Sequence, residues 1–115
     1  MKMQHITIQT RQLEESIRFY EQVAGLAIQQ DMRNGSPSIV FLANGAAETC
    51  VELVENAEAP YTGSGISIGF HTDDVEQKRA ELMQQGYEVT PVISPNPHVK
   101  FFFTRDPNGV QIQFI

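Results

Sequence analysis

Cysteine is almost absent. Cys50 stands alone, so no disulfide can close within the chain, and a reduced, cytoplasmic home is expected. Long apolar runs are missing as well: the longest reach about five residues, far short of the roughly 20 of a membrane-spanning helix, which sets a membrane aside. Positive charge is scarce. Eight Lys and Arg against fourteen Asp and Glu leave a net charge of −6, with no run of bases. A nucleic acid would need a basic stripe to displace its counterions, so no nucleic-acid partner is expected. The acidic field mildly favours neutral or cationic ligands. No Ser-His-Asp or Cys-His arrangement stands out, and Gly63-Ser64-Gly65 leads into a strand rather than a helix, so it is not a phosphate loop. An alternating strand pattern begins at Met3, and no leader peptide is expected before it.

What is present suits one domain. The chain of 115 residues is 41% hydrophobic and 19% charged, enough for a single core. Gln4 to Gln9 alternates, with Ile6 and Ile8 on one side and His5, Thr7 and Gln9 on the other. Thr10 offers an N-cap hydroxyl to a helix whose Leu13, Ile17, Phe19, Tyr20 and Val23 form one apolar face. Gly25 ends it. Strands are predicted around Leu26–Gln30, Ser38–Leu42 and Thr49–Val54, with turns at Asn34-Gly35 and Asn44-Gly45. After a linker at 56–64 the pattern restarts. Ile66, Ile68 and Phe70 oppose Ser67, Gly69 and His71; Thr72 or Asp73 caps a helix to about Gln85; Gly86 stops it. Strands then fit Tyr87–Val92, Lys100–Thr104 and Val110–Ile115, the last two joined by a type I turn at Asp106-Pro107-Asn108-Gly109.

The two halves align. His5 lies over Ser67 at an offset of 62, Gly25 over Gly86 at 61, and at that offset Val51-Glu52-Leu53 lies over Ile112-Gln113-Phe114. Internal duplication constrains a fold strongly. The expected architecture is α+β: two tandem βαβββ modules, about 1–55 and 65–115, forming curved mixed sheets around a cavity with helices on the outer faces.

The His5 strand, the Ser16-Ile17-Arg18-Phe19-Tyr20 stretch ahead of Gly25-Leu26, the Val51-Glu52-Leu53 strand, and Asp106-Pro107-Asn108-Gly109 running into Ile112-Gln113-Phe114 together resemble the vicinal oxygen chelate superfamily. That superfamily holds glyoxalase I, bleomycin- and fosfomycin-resistance proteins and extradiol dioxygenases. In metal-dependent members the resemblance implies four ligands, which fall here on His5, Glu52, Ser67 and Gln113. His5 and Glu52 keep metal-binding residue types, and Glu52 is the candidate catalytic base. Ser67 stands where a histidine is expected, and Gln113 replaces the usual glutamate with a neutral amide. One histidine and one carboxylate leave most of an octahedral shell to water, so nickel, zinc, manganese or iron would be held loosely if at all.

Other residues have a functional and a plainer reading. His71 shares a strand side with Ser67, but a two-residue step of roughly 6–7 Å is long for a metal bond of about 2 Å; the cavity rim or the helix cap suits it better. Phe102 opposes Phe101 and Phe103, so one side meets a helix core and the other lines a pocket; Phe102 is taken here as a cavity residue. Thr7, Gln9, Gln111 and Gln113 supply hydrogen-bonding groups to the same cavity. Tyr61 and His98, in loops, are candidates to close over a ligand. Cys50 reads as a small buried hydrophobe.

Two functions compete. One is binding of a small organic molecule without a complete metal site, like the antibiotic-sequestering branch. The other is a divergent divalent-metal lyase, isomerase or dioxygenase acting on adjacent oxygens. A third, weaker reading is an accessory domain with a vestigial cavity. A homodimer is expected, since so small a sheet protein leaves strand edges to cover.

Overall fold

In the computed structural model, which describes residues Met1–Ile115, the chain forms two units, Met1–Thr62 and Gly63–Ile115. The first contains β1 (His5–Thr10), α1 (Leu13–Gln22), β2 (Ala27–Met32), β3 (Ile39–Ala43) and β4 (Cys50–Glu55). Its sheet has the order β1-β4-β3-β2, with β1 parallel to β4 and the other pairs antiparallel. A parallel pair needs a long crossover, and α1, β2 and β3 supply it. Ile8, Val40, Leu42, Val51 and Leu53 point to one side and are buried with Ile17, Tyr20 and Val23 of the helix segment. Each such side chain contributes about 1.5–3 kcal/mol by leaving water.

The helix starts later than the sequence suggests. Gln12, not Thr10, holds the N-cap position, with no side-chain bond of its own. The Thr10 hydroxyl instead accepts from Gln12 N–H at 2.9 Å and lies 3.3 Å from the buried Ser16 hydroxyl, tying strand to helix. Gly25, at φ +72°, takes the left-handed conformation that turns the chain out of α1. Residues 56–62, read as linker, run back along β1: Asn56 N–H donates to Thr10 C=O and Tyr61 N–H to Gln9 C=O, each at 2.8 Å.

The second unit repeats the plan with β5 (Ser67–Phe70), α2 (Val75–Gln84), β6 (Ile93–Asn96), β7 (Val99–Arg105) and β8 (Gln111–Phe114). The order is β5-β8-β7-β6, again with one parallel pair, β5 with β8. Asp74 caps α2, one residue beyond the expected cap, its carboxylate accepting from Gln77 N–H at 3.0 Å. Gly86 and Tyr87 close the helix by donating to Met83 and Leu82 carbonyls, a Schellman pattern.

The strand expected over Tyr87–Val92 does not form. The Thr90 and Thr104 hydroxyls take backbone groups that a regular ladder would use, and the regular strand shifts to β6 in a tight hairpin with β7. Residues 87–90 hang on β7 largely through side chains: the Thr90 hydroxyl accepts from Phe103 N–H at 2.9 Å, and the Thr104 hydroxyl donates to Glu88 C=O at 2.8 Å. The β7–β8 turn is the expected one. Gly109 N–H donates to Asp106 C=O, and the Asp106 carboxylate, in a residue only 5% exposed, accepts from Asn108 and Val110 N–H at 2.8 Å each.

Candidate functional site

Strand pairing decides which side chains share a face. In the first module Thr7 lies opposite Glu52, and Phe41 opposite Glu52 on its other side, so one transverse row carries Thr7, Glu52 and Phe41. His5 and Cys50 form the next row. The polar groups converge on one carboxylate oxygen: the Thr7 hydroxyl donates to Glu52 Oε1, and His5 Nε2 lies 3.5 Å from the same atom. Glu52 Oε2 makes no hydrogen bond within the chain. The Glu52 side chain is 14% exposed and that of His5 44%, so the acid forms the floor and the imidazole the wall. His5 also meets Phe41 edge to face, ring centres 5.7 Å apart. A hollow of about 330 Å³ beside them is lined by Gln30, Phe41, His5 and Cys50. Cys50 is thus half-buried on the polar side, with its thiol 3.6 Å from Glu48 C=O, and is not a core hydrophobe.

The second module repeats the row with other chemistry. Gly69 and Phe103 flank Gln113 as Thr7 and Phe41 flank Glu52. Gly69 has no side chain to offer; a Cβ there would stand 3.2 Å from Gln113 Oε1, so the amide lies close over the glycine. Ser67 and Arg105 flank Gln111 in the next row. Ser67 is exposed, while Gln111 and Gln113 are half-buried.

One cavity expectation is corrected. Phe102 is not a cavity residue. It is fully buried, stacks on Phe114 at 5.4 Å, and belongs to the helix side of the sheet with Ile112 and Leu82. The aromatics on the polar side are Phe101 and Phe103, edge to face at 5.6 Å. The physical reason is register: Phe103, not Phe102, pairs with Gln113, and alternation sends its neighbour to the core. His71 lies past the end of β5, with Nε2 3.3 Å from Asp73, in a hollow shared with Asp74, His98 and Lys100 at the start of α2. The ladder to β8 runs on through His71, with Ile115 N–H donating to Phe70 C=O and Thr72 N–H to Ile115 C=O, so it sits at the far rim of that strand, next to the helix start. Phe41, Phe103 and Arg105 went unselected from the sequence, because the cross-strand register that sets them beside Glu52, Gln113 and Gln111 is not written in any one strand.

The donor set does not fit a complete metal centre. Two of the four positions, His5 and Glu52, carry strong donors; Ser67 and Gln113 offer a neutral hydroxyl and a neutral amide. No group of three or more His, Cys, Asp or Glu side chains is gathered in the structure. The Glu52 oxygen nearest His5 already accepts the Thr7 hydroxyl.

Two βαβββ modules with this pairing, and a sequence model that matches residues 2–114, establish that the chain belongs to the Glyoxalase/Bleomycin resistance protein/Dioxygenase superfamily. It is 31% identical to the uncharacterized protein YwbC of Bacillus subtilis (strain 168), over 98% of this chain and 95% of that one. It is 27% identical to a lactoylglutathione lyase of Neisseria meningitidis, over 100% and 90%. Among solved structures, TnmS3, an antibiotic binding protein from Streptomyces sp. CB03234, superposes with a TM-score of 0.79 at 23% identity, over 99% of this chain and 93% of that one. The trypanothione-dependent glyoxalase I of Leishmania major gives 0.79 at 22%, over 100% and 86%. These likenesses establish the fold. No helix is long and apolar enough to cross a membrane.

Proposed function

We propose that this chain binds a small, flat organic molecule on the polar faces of its sheets, without a resident metal completing the site. The observation that carries the reading is the matched row in each module. An aromatic ring and a hydrogen-bonding side chain stand side by side, Phe41 with Glu52 and Phe103 with Gln113, while strong metal donors are confined to the first. Glu52 Oε2, set low in the face, is an acceptor for a ligand N–H or O–H, and a hydrogen bond to an ionised carboxylate is among the stronger kinds. Phe41 and Phe103 supply apolar surface for a ring system. TnmS3, described as antibiotic binding, supports small-molecule binding on this fold. A homodimer in a reducing cytoplasm completes the proposal; the outer edge of β2 would gain from a partner, and light scattering tests it.

The experiment is a thermal-shift screen of aromatic small molecules with and without chelator, beside mass-spectrometric metal content of wild type and Glu52→Gln. Ligand stabilisation indifferent to chelator, and weakened in Glu52→Gln, supports binding. Near-stoichiometric metal that falls in the variant overturns it. That outcome favours a divergent metalloenzyme of lyase, isomerase or dioxygenase type, a reading that the approach of His5 to Glu52 and the lactoylglutathione lyase relatives support.

A further inference from the structure

Where the expected strand over 87–92 fails to form, module two has a hollow of about 430 Å³, lined by Tyr87, Glu88, Thr90, Phe103, Arg105 and Gln111. Phe103 is half-buried, and its one ring contact is the edge-type meeting with Phe101, so aromatic surface remains on the hollow. Arg105 is exposed and in no ion pair. Its guanidinium gives a single bond, from Nη1 to the neutral carbonyl of Gly109 at 3.3 Å. The other arginine beside this segment, Arg79, is already spent on Thr90 C=O at 2.7 Å, and Arg33 is held by Asp31 and Glu14. Gln111 lies opposite Arg105 in the ladder. The only acid lining the hollow is Glu88, an exposed residue.

From this arrangement we infer that module two takes the acidic end of an aromatic ligand: a ring on Phe103 and a carboxylate in the fork of Arg105, with the Gln111 amide beside it. The inference rests on the small-molecule reading and narrows it to aromatic acids. It reverses the preference that the net charge suggests. That charge is spread over the whole surface and is screened beyond about 8 Å at physiological salt, whereas a carboxylate at Arg105 meets a planar, bidentate donor at contact distance.

The test is calorimetric titration of the full chain with 2-naphthoate and with 2-naphthamide, its neutral counterpart, at physiological salt. Wild type should bind the acid about tenfold more tightly than the amide. Arg105→Gln should bind the two alike, Arg105→Lys should keep part of the preference, and Glu88→Gln should strengthen the acid. The amide resonances of Thr90 and Phe103 should shift with the acid. Arg105 is exposed, so an unchanged urea midpoint confirms that Arg105→Gln is folded. Equal binding of acid and amide by wild type, or a preference that survives in Arg105→Gln, overturns this inference and leaves small-molecule binding standing. Binding of neither probe also overturns it, and the chelator-controlled screen then decides the broader reading on its own.

Discussion

Phe102 and Phe103 are neighbours on β7 with opposite surroundings, and truncating each in turn separates core from site. Phe102 is 0% exposed and stacks on Phe114, whose ring also meets Phe70 at 6.0 Å and carries the Lys78 ammonium 5.1 Å from its centre. Phe102→Ala therefore removes a whole buried ring, at a cost of about 3–5 kcal/mol. That is a large share of the roughly 5–15 kcal/mol that holds a domain together. Phe102→Leu, which keeps most of the volume, should cost about 1–2 kcal/mol and remain folded. Phe103 is half-buried and leans on Phe101, so Phe103→Ala should cost about 1 kcal/mol. Its effect should fall on ligand instead, with naphthoate affinity dropping about tenfold. Urea unfolding followed by circular dichroism gives the stabilities, with slopes expected to match wild type; calorimetry gives the affinities. Equal stability losses for Phe102→Ala and Phe103→Ala, or naphthoate binding weakened by Phe102→Leu and not by Phe103→Ala, would refute the assignment of faces.

Asp106→Ala strips the acceptor from two backbone N–H groups, that of Val110 being buried, and should lower unfolding free energy by about 2–4 kcal/mol; Asp106→Asn, which keeps one oxygen, should lose clearly less in the same urea titration. At acid pH the surface pair on β2 matters. The Arg33 side chain, then its backbone N–H, holds the Asp31 carboxyl below its ordinary 3.8. Its contribution is present above that ordinary value and is lost as pH falls through the depressed one. The acid limb of wild-type stability should thus be steeper than that of Arg33→Gln, and concentrated salt should narrow the gap; superimposable limbs would refute it. Lys100 acts likewise on Glu76, so Lys100→Gln should show the same change in the same titration. Gly69→Ala should displace the Gln113 amide, because the new Cβ would stand 3.2 Å from Oε1. The expected result is a shifted Gln113 side-chain resonance with a nearly unchanged urea midpoint.

Much of this was legible in order along the chain. The repeat offsets of 62 and 61 are the offsets between the pairs Thr7–Glu52 and Gly69–Gln113, because two copies of one pattern must pair their strands alike. Gly25, Gly86 and the Asp106-Pro107-Asn108-Gly109 turn declared themselves because left-handed backbone and a proline-started turn each demand particular residues. The strand expected at 87–92 does not form, because alternation along the segment says nothing of the Thr90 and Thr104 hydroxyls that take its backbone partners.

The sequence by itself determined the class of fold, the glycine stops of both helices and the β7–β8 turn, since these rest on contacts between near neighbours. Tertiary structure alone decided which phenylalanine of three turns to the core, and that Arg105 stands in no ion pair beside a hollow. Those facts depend on pairings between residues far apart in the chain. A shift of one position in such a pairing turns every side chain to the opposite face.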